Sequence, residues 1–209
     1  MTTIQPSDRG RDDDTAVRAR ILEAAFEAFM KNGYAASSTL EIATRARVSK
    51  RELYALVGNK QAMLTACINA RARRLQVPAD FPVPKDRDTL AQVLVSLGTK
   101  LVQEITEPTV IAVFRLVIAE AVNSPEVAQA LDSIGREASR AALRQIMAGA
   151  LRWGVLKGQP AELAEQFGGL LWGNLMVSLL LGVTKRPSLR ELTARARDAT
   201  DAFLKLNLS

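Results

Sequence analysis

Lys50, Arg51 and Tyr54 fall within one short stretch whose local signals set them on the outside of a helix. Two cations and a phenol can bond phosphate oxygens and base edges, which is a chemistry of recognition rather than of bond breaking. The stretch runs from Ser38 to Lys60 and repeats one helix-start signal: Ser38 is followed three residues later by Glu41, and Ser49 by Glu52. Each serine can cap the third backbone N–H of its helix while the glutamate reaches back to the cap residue's own N–H. The two starts lie so close together that the first helix must turn after about seven residues. Ile42, Ala43, Val48, Leu53 and Val57 can then face inward, leaving Arg45, Arg47, Lys50, Arg51 and Tyr54 outside. Two short helices joined by a tight turn, the second opening with exposed cations, are what a helix-turn-helix DNA reader requires. A helical hairpin with no DNA role would carry the same caps and apolar pattern.

The elements that must position these residues belong to a chain of 209 residues, enough for one large or two small domains. With 48% hydrophobic and 24% charged residues it reads as an ordinary globular protein. β-branched alternation is nearly absent, and the eight prolines cluster at candidate boundaries, which points to an all-α fold. The net charge is +6, and it is concentrated: Arg45, Arg47, Lys50, Arg51, Lys60, Arg71, Arg73 and Arg74 stand against Glu52 alone. A basic patch confined to one segment suits a polyphosphate partner, although a solvated helix face gives the same charge run. Cys67 is the single cysteine and there is no histidine, which removes disulfides, Cys/His zinc sites and His general bases. No metal, cofactor or catalytic residue is expected, and Cys67 reads as buried filler. No signal-peptide pattern opens the chain, and the longest apolar run, 168–183, is short for a bilayer span. A cytoplasmic protein with no membrane partner is expected.

In chain order, residues 1–14 are polar and aperiodic and read as a mobile arm, with Arg9 and Arg11 as weak candidates for touching DNA. A supporting helix should run from near Thr15 to Gly33, with Ile21, Ala25 and Phe29 on its apolar face. Asn59 can cap a fourth helix running from Lys60 towards Val77. Pro78, Pro82 and Pro84 place the domain boundary within 77–88. Further helices are expected at about 88–105, 108–122, 125–153, 161–182 and 189–206. The last carries Leu189, Leu192, Ala196, Ala199, Phe203 and Leu206 in a narrow seam of coiled-coil type. The helix before it is apolar on every face and must be covered on every face. A second subunit would do this, with Phe167, Leu171, Leu175, Leu179, Leu189, Leu192, Ala196, Ala199 and Phe203 at the interface. A central helix buried in its own domain is the alternative.

Arg20-Ile21-Leu22-Glu23-Ala24-Ala25, Phe29, Gly33-Tyr34, Ile42-Ala43, Val48-Ser49, Leu53-Tyr54 and Asn59-Lys60 resemble, in order and spacing, the N-terminal domain of the TetR-type transcriptional regulators. The resemblance covers roughly residues 15–75. Phe114–Glu120, Ser124-Pro125-Glu126 and Gly168-Gly169-Leu170-Leu171 are similar to the AefR-like subgroup. The resemblance implies a three-helix head (15–75, motif 38–57) joined to a larger helical ligand-binding and dimerisation domain (85–209). It further implies a homodimer on a near-palindromic double-stranded operator, released by a small effector that changes the spacing of the heads.

By position, Lys50, Arg51 and Tyr54 would form the exposed recognition face, with Arg51 on a guanine edge and Tyr54 on a phosphate. Ser38, Thr39 and Lys60 would set helix N-termini and a cation against the backbone. Ser49 is a cap before it is a DNA contact, and Arg45 suits either a phosphate or a solvated face. Two departures stand out. Arg47 occupies the turn where the family usually has glycine, and Val57-Gly58 replace an aromatic-led helix ending. Phe114, Trp153, Phe167, Trp172 and Met176 are the candidate effector contacts, and the scarcity of interior charge favours a largely apolar molecule. The rival reading is a ligand sensor or scaffold whose DNA-binding head is degenerate.

Overall fold

The computed structural model describes residues 6–78 and 81–207, with side chains from residue 13. Those residues form helices and no strand. In order they are α1 (Pro6–Asn32), α2 (Thr39–Ala46), α3 (Lys50–Leu56), α4 (Lys60–Ala72), α5 (Arg87–Ile105), α6 (Pro108–Glu120), α7 (Pro125–Ala130), α8 (Glu137–Arg152), α9 (Pro160–Trp172), α10 (Leu175–Leu181) and α11 (Leu189–Asn207). The chain divides into two compact units: Met1–Ala70 with Leu116–Leu131, and Arg71–Arg115 with Asp132–Ser209. The second unit thus begins ahead of the proline-rich segment. Pro84 is buried, and a Cβ placed on Gly149 would lie 3.3 Å from it.

In the first unit α1 begins at Pro6, so residues 6–14, expected as an arm, are helical; residues 1–5 and the side chains of Arg9 and Arg11 lie outside the described residues. Ile21, Ala25 and Phe29 of α1, Ile42 of α2, Leu53 of α3 and Met63 of α4 are all fully buried, and α1 lies against α2 and α3. Asn59 accepts from the Ala62 N–H at 2.8 Å and so caps α4, after Gly58 has taken the bend at φ +98°. Cys67 is half-buried, its thiol 3.5 Å from the Leu22 carbonyl.

The second unit has its core between α5, α8, α9 and α11. α5 and α11 approach closely at Gly98, where a Cβ would meet Ala196, Leu171 and Phe167, each at 3.4 Å. The expected helix 161–182 is instead two helices: Gly173 (φ +45°) ends α9 and Asn174 precedes α10. The expected 125–153 helix carries a π turn at Leu131–Arg136 between α7 and α8. Asp86, missed by the sequence reading, starts α5 by a reciprocal cap with Thr89.

The seam on α11 requires a correction. Leu192, Ala196, Ala199 and Phe203 lie inside the core of their own chain, as do Phe167, Leu171, Leu175 and Leu179. Phe203 meets Phe167 edge-on at a centroid distance of 5.6 Å. The narrow apolar stripe packs on α5 and α9, which cover it without a second subunit; Leu189 alone of the nine expected interface residues is exposed. Phe203→Ala should therefore destabilise the protein by about 3–5 kcal/mol. The loss, read by chemical denaturation, should be the same at low and high protein concentration; a concentration-dependent loss would return Phe203 to an interface.

Candidate nucleic-acid interface and ligand cavity

The α2–α3 turn consists of Arg47, Val48 and Ser49, and its geometry follows from its hydrogen bonds. Arg47 is left-handed (φ 56°, ψ 47°), the only non-glycine with positive φ among the described residues. Its N–H bonds the Thr44 carbonyl at 3.1 Å and the Val48 N–H bonds the Ala43 carbonyl at 3.0 Å, a Schellman ending with half-buried Val48 as its apolar residue. Arginine in that conformation costs about 1 kcal/mol relative to glycine, yet the turn closes.

Ser49 and Glu52 form the full reciprocal cap on α3. Ser38 caps α2 through the Glu41 N–H at 3.0 Å, but Glu41 does not reach back as expected; its carboxylate takes Asn32 Nδ2 and Arg45 instead. Leu53 anchors α3 from its buried face, so Lys50, Arg51 and Tyr54 stand exposed on the other. Lys50 Nζ lies 6.0 Å from the Tyr54 ring, and the half-buried Thr39 hydroxyl is 3.4 Å from the Tyr54 hydroxyl.

The charges sort into two groups. Among the described residues Arg47, Lys50 and Arg51 have no carboxylate within ion-pair reach. Arg45 is paired with Glu27 at 2.9 Å and Glu41 at 3.4 Å, so its charge is largely neutralised. Arg71 donates to Thr109 at 2.8 Å and Arg74 approaches Glu104 at 3.9 Å, both within the second unit.

Lys60 departs furthest from expectation. Its ammonium donates to the carbonyls of Tyr34 (2.8 Å), Ala35 (3.1 Å) and Ser37 (3.3 Å) and lies 4.5 Å from the Tyr34 ring. It closes the loop after α1 rather than facing outward. The same loop is held from α6, where Glu120 accepts the Ala35 N–H at 3.0 Å. Burial first, then Glu126 and Glu120, raises the Tyr34 pKa.

A cavity of about 440 Å³ opens in the second unit. Of the candidate effector contacts, Phe114, Trp172 and Met176 line it, together with Leu143, Gly168 and Gly169. Phe167 is sealed in the core, and Trp153 is exposed with Lys85 Nζ 5.1 Å from its ring, so neither reaches the cavity. Ser139, Arg140, Arg136 and Glu165 supply its polar edge, which the sequence reading missed because charged residues on helices look like solvated faces. Arg140 and Arg136 are held by Asp132, and Arg140 and Arg144 by Glu137. The Arg144 hydrogen bond, followed by that of Arg140, lowers the Glu137 pKa. A larger hollow of about 650 Å³ runs along α10 and α11 and is lined by Asn174, Ser178, Glu191, Arg195 and Asp198; it is a polar surface groove.

Among the described residues no helix is long and apolar enough to cross a membrane, and no group of three His, Cys, Asp or Glu side chains is placed to hold a metal ion.

An exposed, cation-bearing second helix on a three-helix head defines a helix-turn-helix protein. Residues 21–67 match the model described as bacterial regulatory proteins, tetR family, and residues 92–206 match that of the AefR-like transcriptional repressor C-terminal domain. The chain belongs to the TetR family and is a transcriptional regulator rather than an enzyme. It is 33% identical over 108 residues to the uncharacterized HTH-type transcriptional regulator YdeS of Bacillus subtilis strain 168; the match covers 50% of this chain and 51% of YdeS, so the chain spans about half the length of that curated relative. It is similar to the flavonoid-responsive regulator FrrA (28% identity, TM-score 0.78, 92% of this chain and 97% of the other). It is likewise similar to a TetR regulator of Agrobacterium tumefaciens (26%, TM-score 0.75, 91% and 94%). A TetR-family protein of Mesorhizobium loti MAFF303099 shares the fold (24%, TM-score 0.75, 93% and 98%).

Replacing Lys60 with methionine, which keeps the stem and removes the ammonium, should lower stability by about 2 kcal/mol, the scale of charged hydrogen bonds. Thermal denaturation of the purified variant checks this. Unchanged stability with uniformly weaker DNA binding would mean that Lys60 serves the phosphate backbone after all.

Proposed function

We propose that the protein is a homodimeric repressor whose two heads read a near-palindromic operator and which releases it when a small, largely apolar molecule enters the 440 Å³ cavity. The observation that carries the DNA reading is the seven-residue α3, opened by the Ser49–Glu52 reciprocal cap and holding Lys50 and Arg51, unpaired among the described residues, beside exposed Tyr54. Arg51 takes a guanine edge through two bonds, Lys50 a guanine or a phosphate, and Tyr54 a phosphate. The N-termini of α2 and α3, with Ser38, Thr39 and Ser49, and the turn cation Arg47 add backbone contacts. Lys60 supports these by holding the loop after α1.

The surface favoured for pairing differs from the buried middle of the seam, of which only the two ends stay exposed. Val177 and Leu181, one helical turn apart on α10, are 58% and 71% exposed, and Leu189 and Leu206 of α11 are exposed as well. Burying such a face against a second copy is what brings two heads to successive major grooves, about 34–36 Å apart. Coupling requires that the effector prefer one head spacing. Helix α6 suits that task, since Phe114 lines the cavity and Glu120 holds the Ala35 N–H. The AefR-like stretch 114–120 bears both side chains. That FrrA is described as flavonoid-responsive supports an aromatic, weakly polar effector.

An electrophoretic shift with the DNA flanking the protein's own coding region tests the reading. Arg51→Ala should cost about 1–3 kcal/mol at one base pair of each half-site and relax preference there. Retained sequence preference would remove Arg51 from base reading. For the dimer, Leu181→Glu should sediment as a folded monomer and protect no full palindrome. If it remains dimeric, the pairing surface lies elsewhere.

A further inference from the structure

Among the described residues of α1–α4, two large apolar side chains stand exposed: Tyr54 on α3, at 44%, and Leu40 on α2, at 64%. Tyr54 ends in a hydroxyl that can meet a phosphate, whereas Leu40 offers only hydrocarbon. A single exposed leucine is ordinary on a protein surface, so its neighbours decide whether this one has a use.

Those neighbours divide α2 into three sides. Ile42, Ala43 and Ala46 are buried. Glu41 and Arg45, one turn apart, are turned towards α1, where they meet Asn32 and Glu27. Leu40 and Thr44, also one turn apart, occupy a separate, exposed flank. The Thr44 hydroxyl donates to the Leu40 carbonyl at 2.9 Å, so its proton is spent within the helix and Leu40 is the outward group. Thr39, immediately before, comes within 3.4 Å of the Tyr54 hydroxyl, which joins the first turn of α2 to the exposed face of α3. Leu40 thus borders the face that carries Lys50, Arg51 and Tyr54.

The chemistry of that face says what an apolar neighbour can add. Arg51 and Lys50 suit guanine edges and phosphates, and Arg47 suits a phosphate; none of the three is suited to a thymine. A carboxylate at position 40 would be repelled by the phosphates, and another cation would strengthen binding to every sequence alike. Leucine does neither. In the major groove the apolar group that identifies a base is the C5-methyl of thymine. Deoxyribose is apolar as well, but it is present at every nucleotide and carries no sequence information.

We infer that Leu40 is a specificity-determining residue whose side chain packs on the C5-methyl of one thymine in each half-site. This inference rests on the exposed face of α3 entering the major groove, as proposed above. Full-length protein would first select a duplex from a random-sequence library. That duplex is then resynthesised with deoxyuridine in place of thymidine, one symmetry-related pair of positions at a time. Deoxyuridine pairs as thymidine does and lacks only the methyl. At one such pair, wild-type affinity should fall by about fourfold for each methyl lost, the scale for burying one carbon. Leu40→Ala should bind the methylated and unmethylated duplexes nearly equally. Because the leucine is exposed and alanine is the better helix former, this variant should unfold at or slightly above the wild-type temperature. Indifference of the wild type to deoxyuridine at every position would overturn the inference. So would a methyl effect that survives in Leu40→Ala, which would give the methyl to another side chain and leave Leu40 at most a sugar contact. Either result leaves Arg51 in the groove. A wild-type protein that selects no sequence at all would instead overturn the α3 reading, and Leu40 with it.

Discussion

The turn between α2 and α3 has to close within three residues, and the whole reading head depends on that constraint. Arg47, Val48 and Ser49 must end one helix and start another while keeping their backbone groups bonded. Arg47 takes the left-handed conformation, Val48 completes the Schellman ending, and Ser49 opens α3 through its exchange with Glu52. Each bond is modest, at roughly 1 kcal/mol net, but together they leave α3 one orientation. Leu53 then fixes which face is buried, and Lys50, Arg51 and Tyr54 are outside by geometry. The strain at Arg47 is the cost of placing a cation where glycine would have been relaxed.

Placement of charge follows the same logic. Eight basic residues between positions 45 and 74 look like one patch in the sequence, yet the fold divides them. Glu27 and Glu41 hold Arg45, three carbonyls hold Lys60, and Arg71 and Arg74 serve the second unit. Arg73 also lies in the second unit, so within the head Arg47, Lys50 and Arg51 remain for a partner. Cations with structural work are thus tied down, and those on the exposed side of α3 and its preceding turn are free of carboxylates among the described residues. In the second unit, acidic residues likewise hold the arginines beside the cavity as oriented donors.

Much of the head was legible because its signals are local. Ser49 with Glu52, Asn59 before α4 and the apolar spacing of Ile21, Ala25 and Phe29 each act within a few residues, and each appears as read. Partners distant in sequence were not legible. Nothing near Lys60 announces the Tyr34–Ser37 carbonyls, and nothing near Glu41 announces Asn32. The α11 stripe was visible, but periodicity gives the width of an apolar face and not the identity of what covers it; α5 and α9 do so. Of the cavity candidates, Phe114, Trp172 and Met176 were recoverable as large apolar residues, whereas Ser139, Arg140 and Glu165 were indistinguishable from solvent-facing positions until the helices were packed.

The central claim is that, within the head, only Arg47, Lys50 and Arg51 of this basic segment are available to DNA. The salt dependence of operator affinity measures that number directly, since each neutralised phosphate contributes about −0.9 to the slope of log K against log salt. With two heads bound, a slope between roughly −4 and −6 is expected. A slope near −10 or steeper would mean that Arg45 and Lys60 leave their protein partners for phosphate, and a slope near zero would mean that the exposed face of α3 does not meet DNA at all.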